Sequence, residues 1–121
     1  MEKENKKYDL EERTAIFAER IRNFCLKLPK NAANYEYISQ LIRAGSSPGA
    51  NYIEANESLG NKDFKMKIKI CRKESKESSY WLRLVITDGS DAMENERKAL
   101  RQEAKEFILI FTAILNNRKD D

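Results

Sequence analysis

QLIRAGSSPGANYIEANE, residues 40–57, decides how this chain folds. Read for local propensity, Gly45-Ser46-Ser47-Pro48-Gly49 is a turn. Glycine costs about 1 kcal/mol in a helix interior and proline about 3, and Pro48 leaves the carbonyl of Ala44 without an amide donor. Read for phase, the stretch is a helix. Ile38, Leu41, Gly45, Pro48, Tyr52, Ala55 and Leu59 are separated by alternating steps of three and four, so Ile38 stays in phase with Tyr52 two heptads later. A loop has no reason to keep that phase. Two resolutions are open: a surface turn between two short helices, and one long helix bent at Pro48. The phase favours the second. In that case Ala44, Gly45, Ser47, Gly49 and Ala50 let a neighbouring backbone come close, and a serine hydroxyl or a water takes up the freed carbonyl.

The flanking sequence supplies three further helices. Asp9 and Glu12 have capping-box spacing, and Leu10, Phe17, Ile21, Phe24 and Leu28 form a seam that Pro29 ends. Cys25 beside that seam reads as a small packed hydrophobe. The second helix starts near Tyr35 and runs through the central stretch, with Gly60 as a left-handed C-terminal stop and Asn61 as the cap of the third helix. The third helix, about 62–86, is apolar on two sides. Phe64, Ile68, Cys71, Ser75, Ser78, Leu82 and Val85 share one face, and Met66, Ile70, Trp81 and Leu84 fall opposite. A small bundle covers one such face, so the second is expected to meet another subunit. The alternative is that Trp81 and its neighbours fold over onto helix ends. After the turn at Asp88-Gly89, Ser90 or Asp91 caps the last helix, and Glu94 completes a box if Asp91 is the cap. Its seam is Met93, Arg97, Leu100, Ala104, Phe107, Phe111 and Ile114, with Arg97 near enough to the start to reach solvent. Asn51, near the seam of the second helix, is expected to be structural, since a buried amide demands partners.

Short links between four helices specify an all-α, antiparallel up-down-up-down bundle. The expected organisation is one domain over 1–121, with polar tails at 1–8 and 117–121.

Composition excludes more chemistry than it suggests. There are no histidines, which removes histidine acid–base work and the Glu-x-x-His motif of di-iron bundles. Cys25 and Cys71 match no zinc or redox spacing. Glu54 and Glu57 share a helical face, but paired carboxylates without histidine are a weak metal signal. The serines lack a base, and GSSPG lacks the lysine and spacing of a phosphate loop. No catalytic, metal or cofactor residue is assigned, and the chain is expected not to be an enzyme. MEKENKKYDL has no apolar core, and no stretch approaches a membrane span, so the cytoplasm, with reduced thiols, is the expected location.

Net charge is +3, yet residues 62–83 hold eight Lys or Arg against three acids. Lys62, Lys65, Lys69, Arg72, Lys73 and Lys76 are the candidate contacts to RNA or DNA phosphates. The alternative is a solvated face whose long stems cover apolar surface. Met66, Ile70, Trp81 and Leu84 are the candidate subunit interface.

YDLEERTAIFAERIRNF, LPK, QLIRAGSSPGANYIEANE and DFKMKIKICRKESKESSYWLRL, in that order over residues 8–86, resemble the bacterial four-helix-bundle proteins encoded in intervening sequences of large-subunit ribosomal RNA genes. The resemblance implies an unbroken second helix and assembly as a homopentamer. It places Arg43, Ser46, Ala50, Asn51 and Glu54 at the family's characteristic helix-two positions. A related protein, the accessory variability determinant of diversity-generating retroelements, implies association with a reverse transcriptase and nucleic acid. Glu54-Ala55-Asn56-Glu57, where many relatives carry a glycine, departs from the pattern and weakens transfer of that role. The functional expectation is a non-enzymatic oligomeric bundle with a nucleic-acid-binding surface; the alternative is an adaptor for another protein without nucleic acid.

Overall fold

The structure is a computed structural model that describes residues 9–118. It contains four helices: α1 (Leu10–Leu26), α2 (Ala32–Asn56), α3 (Asn61–Leu84) and α4 (Asp91–Asn117). They form the all-α, antiparallel up-down-up-down bundle expected from the short links. Among adjacent helices, α2 and α3 pack most closely, and α1 and α4 approach least.

Apolar seams build the core. Leu10, Phe17, Ile21, Phe24 and Leu28 from α1 and its exit are buried, as are Leu100, Ala104, Phe107 and Phe111 of α4. The rings of Phe17 and Phe107 meet edge to face, 5.2 Å apart between centroids. From α3, Ile68, Cys71, Ser75, Ser78 and Leu82 complete the core, and each buried serine hydroxyl donates to the carbonyl four residues back. Backbone acceptors of this kind satisfy a small polar side chain where a neighbouring helix leaves no room for a larger one.

α2 passes through Gly45 and Pro48 without a break, and both residues are buried. Ile38 and Tyr52 pack against the same core, so the phase across the glycines is real. Close approach to α1 explains the small residues. A Cβ on Gly45 would lie 2.5 Å from Ile21 Cδ1, and one on Gly49 would lie 3.0 Å from Thr14 Oγ1. Thr14 is itself fixed by donating to the Leu10 carbonyl at 2.7 Å. The expected serine partner for the Ala44 carbonyl is not what Ser47 provides. Its hydroxyl accepts from Asn51 Nδ2 at 2.9 Å, and the same nitrogen donates to the Ser47 carbonyl. Asn51 is thus bound within its own helix. On the other side of α2, the Cys71 thiol donates to the Pro48 carbonyl at 3.3 Å.

Capping follows the sequence in part. Asp9 accepts from the Glu12 amide, Asn31 from the Asn34 amide and Ser90 from the Met93 amide. Ser90, not Asp91, is the α4 cap, and the Glu94 carboxylate turns to Thr87 and Arg97 instead of closing a box. Gly60 is not a left-handed stop. α2 ends at Asn56, and the amides of Glu57 and Ser58 bond back to the Glu54 and Ala55 carbonyls. With those carbonyls satisfied, no left-handed residue is needed. Gly60 has φ −145° and is itself the N-cap of α3, Asn61 is the first helical residue, and Leu59 leaves the seam entirely at 103% exposure. α3 ends two residues earlier than expected because Val85 is extended. Arg97 does not run to solvent. Its Nη1 donates to the carbonyls of Leu82 and Arg83, closing the C-terminal end of α3.

The expected tail at 117–121 begins too early, since α4 includes Asn117. Arg118 stacks 3.8 Å above the Phe64 ring, with Nε donating to Asn61. The expected N-terminal tail, 1–8, lies outside the described residues, as do 119–121. Among the described residues, no helix is long and apolar enough to cross a membrane.

Candidate functional site

The basic residues singled out on α3 divide into two sets. Lys65, Lys69, Arg72 and Lys76 recur at steps of four, three and four, a stripe along one edge of the helix. The Arg72 guanidinium identifies that edge, because Nη1 donates to Thr112 Oγ1 of α4 at 3.3 Å. The stripe therefore borders the α3–α4 seam. Lys62, three residues before Lys65, continues the stripe at its start, and Lys73 lies outside it, exposed on the outer side of α3. Lys67, on the opposite edge, pairs with Glu54 of α2 at 2.8 Å.

Charges on α4 are sorted in the same way. Glu103 and Glu106 meet Arg13 of α1 at 2.7 and 2.6 Å, and Glu96 meets Arg20 at 3.3 Å. On the other side of α4, Arg101 Nε donates to Ser79 Oγ of α3 at 3.1 Å. Lys98 and Lys105, at steps of three and four from Arg101, are exposed beside it. None of these three is among the candidate contacts on α3. The signal was their own three-four spacing, masked by the acids that share the helix.

The candidate subunit interface also divides. Met66 is 56% exposed, and Ile70 and Leu84 are half-buried. Trp81 instead packs on Tyr37 of α2 and Tyr80, with centroids 6.1 and 5.1 Å apart. Its Nε1 is buried and has no hydrogen-bond partner among the described residues. The outer side of α2 adds what the sequence did not point to. Ile42 and Ile53 are exposed there, with Ser46 and Ala50 between them. The pairs Glu54–Lys67 and Pro48–Cys71 fix the antiparallel register and bring Ile53 level with Met66, and Ala50 level with Ile70. The α2–α3 pair thus carries an outward apolar strip with a small-residue centre.

No group of three or more acidic or cysteine side chains able to hold a metal occurs among the described residues. Glu54 is committed to Lys67. Burial pushes both thiols, Cys25 and Cys71, up to about 12, the opposite of what an activated nucleophile needs.

A bundle with one apolar and one basic outer surface is, as a class, an antiparallel four-helix scaffold. Residues 6–113 match the family described as 23S rRNA-intervening sequence protein, and the chain belongs to that family. A protein of unknown function from the S23 ribosomal protein family of Bacteroides thetaiotaomicron has the same fold. Its crystal structure aligns with a TM-score of 0.73 at 27% identity, over 88% of this chain and 98% of its own. The comparison with curated proteins gives no match.

Proposed function

We propose that this chain is a non-enzymatic building block that assembles with copies of itself and presents a basic surface to RNA or DNA. The observation that carries the assembly is the outward strip of Ile42, Ile53, Met66 and Ile70 on adjacent helices. Solvated strips of this kind, with small residues at the centre, favour covering by a second helical surface. The family resemblance makes a homopentamer the expected stoichiometry, and the charged N-terminal stretch makes the cytoplasm the expected compartment. Light scattering at micromolar concentration tests the assembly. A multimer that Met66→Glu and Ile53→Glu convert to a folded monomer supports it, and a wild-type monomer overturns it.

The basic surface is the α3 stripe. Nucleic acid held by phosphates alone binds at low salt and is released steeply as salt rises. Absence of binding at 50 mM salt overturns this part. The apolar strip supports a second reading, in which the surface docks another protein and no nucleic acid takes part. Capture of the same protein partner with and without nuclease, together with no oligonucleotide binding, would decide for it.

A further inference from the structure

The nucleic-acid reading above rests on α3, but half of the basic surface lies on α4. Between Lys69 and Arg83 the acids of α3 are Glu74 and Glu77, and between Lys98 and Lys105 the acid of α4 is Glu103. None of the three turns to the α3–α4 seam. Glu74 pairs with Lys73 at 3.8 Å and lies within reach of the Arg43 charge of α2, Glu77 adjoins Glu74, and Glu103 is bound by Arg13. What remains from Lys69 and Lys76 to Arg101 and Lys105 is cationic from both sides, with Glu94 beside Lys98 at one end.

The register of the seam is fixed by contacts across it. Arg72 reaches Thr112, Arg101 reaches Ser79, and Arg97 reaches the Leu82 and Arg83 carbonyls. Antiparallel pairing at that register sets Lys76 level with Lys105, and Arg83 level with Lys98. The two rows run along helices whose axes lie about 8–10 Å apart, and Lys69 to Arg83 extends about 21 Å at 1.5 Å per residue.

Arg72 and Arg101 differ from Arg13, Arg20 and Arg97, and from Arg118, whose guanidinium stacks on the Phe64 ring while donating to the Asn61 side-chain oxygen. Arg13 and Arg20 end on carboxylates, and Arg97 ends on carbonyls with Glu94 beside it. Arg72 and Arg101 end on neutral hydroxyls, one from each helix, and neither pairs with a carboxylate among the described residues. A hydroxyl occupies one of the five guanidinium donors and leaves the charge uncompensated. Each fork is thereby held in place with most of its donors directed elsewhere, the state in which arginine takes a phosphate with least loss of side-chain freedom.

We propose that Arg72 and Arg101 form the centre of a phosphate-backbone site spanning α3 and α4, framed by Lys69 and Lys76 on one helix and Lys98 and Lys105 on the other. Its ligand is the phosphodiester backbone of a nucleic acid, held without base readout. The charged rows supply point charges and forks, and the exposed aromatic beside Lys76 and Arg83, Tyr80, already stands edge-on against the Trp81 ring.

The test uses the full chain and a fluorescent 20-nucleotide oligouridine, with binding measured by anisotropy between 50 and 200 mM salt. Arg101→Gln/Lys105→Gln removes only α4 charges at exposed positions; helicity and oligomeric state of the variant are checked alongside. The expected result is roughly tenfold weaker binding, and a salt slope reduced by about 1.4 for two lost contacts on a single strand. Arg101→Lys/Lys105→Arg should retain the slope. A mixed-sequence oligonucleotide should bind within a few-fold of oligouridine, and strong preference for one sequence would overturn the absence of base readout. If wild type does not bind, the nucleic-acid reading itself fails. If wild type binds and loses affinity with Lys69→Gln/Lys76→Gln but not with the α4 pair, that reading stands and the two-helix site is overturned.

Discussion

Asn34 and Ile86 exchange two hydrogen bonds across the bundle. Asn34 Nδ2 donates to the Ile86 carbonyl at 2.8 Å, and the Ile86 amide donates to Asn34 Oδ1 at 2.9 Å. The second Nδ2 proton goes to the Pro29 carbonyl at 2.8 Å. One fully buried amide therefore ties the link between α1 and α2 to the link between α3 and α4. Asn34→Ala would leave the Ile86 amide and two carbonyls without these partners. Orphaned buried polar groups cost about 1–3 kcal/mol each, partly relieved by water. The expected loss is about 3 kcal/mol in urea unfolding, with little change in the denaturant slope.

Gly45 is set by Ile21. Replacement by alanine gains about 1 kcal/mol of helix propensity, but overpacking a filled core costs about 1–3. Ile21 is 1% exposed, so its Cδ1 has no free space to retreat into. Gly45→Ala should be destabilising by about 1 kcal/mol and Gly45→Val by about 3, read as a shift in the urea midpoint.

Gly60 is the α3 cap that makes no side-chain bond, and a Cβ there would meet nothing within 4 Å. Its extended backbone already suits a side-chain cap. Gly60→Asp should accept from the first-turn amides and complement the helix dipole, raising stability by a few tenths of a kcal/mol. Thermal melts of the two proteins at neutral pH check it.

The α1–α4 seam should be the acid-sensitive one. Hydrogen bonds from Gln102 and Arg13 hold the Glu106 carboxyl below its usual range. A carboxylate depressed in the folded state adds stability above its unfolded value of about 4.3 and loses it as pH falls through the lower folded value. Arg13→Gln should therefore cost about 1–2 kcal/mol at pH 7, where Arg13 also grips Glu103, and progressively less toward pH 3. Paired melts across that range measure the closing gap.

Native Cys25 and Cys71 should be inert. With burial pushing both thiols up to about 12, neither carries appreciable thiolate at pH 8. A disulfide-exchange reagent should titrate no thiol in the folded chain and both in urea. Reaction of the native protein with stoichiometric reagent would contradict the packing described.

The fold was legible because its information is periodic. Leu10 to Leu28, Ile38 to Ala55 and Leu100 to Phe111 place their apolar residues by helical spacing, and the spacing survives even where Gly45 and Pro48 argue locally against a helix. Features that depend on two distant segments meeting were not legible. Asn34 is one polar residue among several at a helix start until Ile86 arrives beside it. Arg97 was in phase with its seam, but only the α3 terminus explains why a charge belongs there. Gly60 was misread because glycine serves both ends of helices, and Ser58 and Glu57 had already closed the preceding one. The basic site was half legible: α3 announces its charge in composition, whereas on α4 the cations are averaged with Glu96, Glu103 and Glu106 until geometry separates them.

The bolt between Asn34 and Ile86 makes the two ends of the bundle unequal. At its end, two connections are fastened to each other and neither can be lengthened without loosening both. At the far end, the connection through Leu59 and Gly60 projects into solvent. New termini or an inserted reporter belong there, and a fluorescent protein spliced after Leu59 would mark assemblies from outside while the fastened end stays whole.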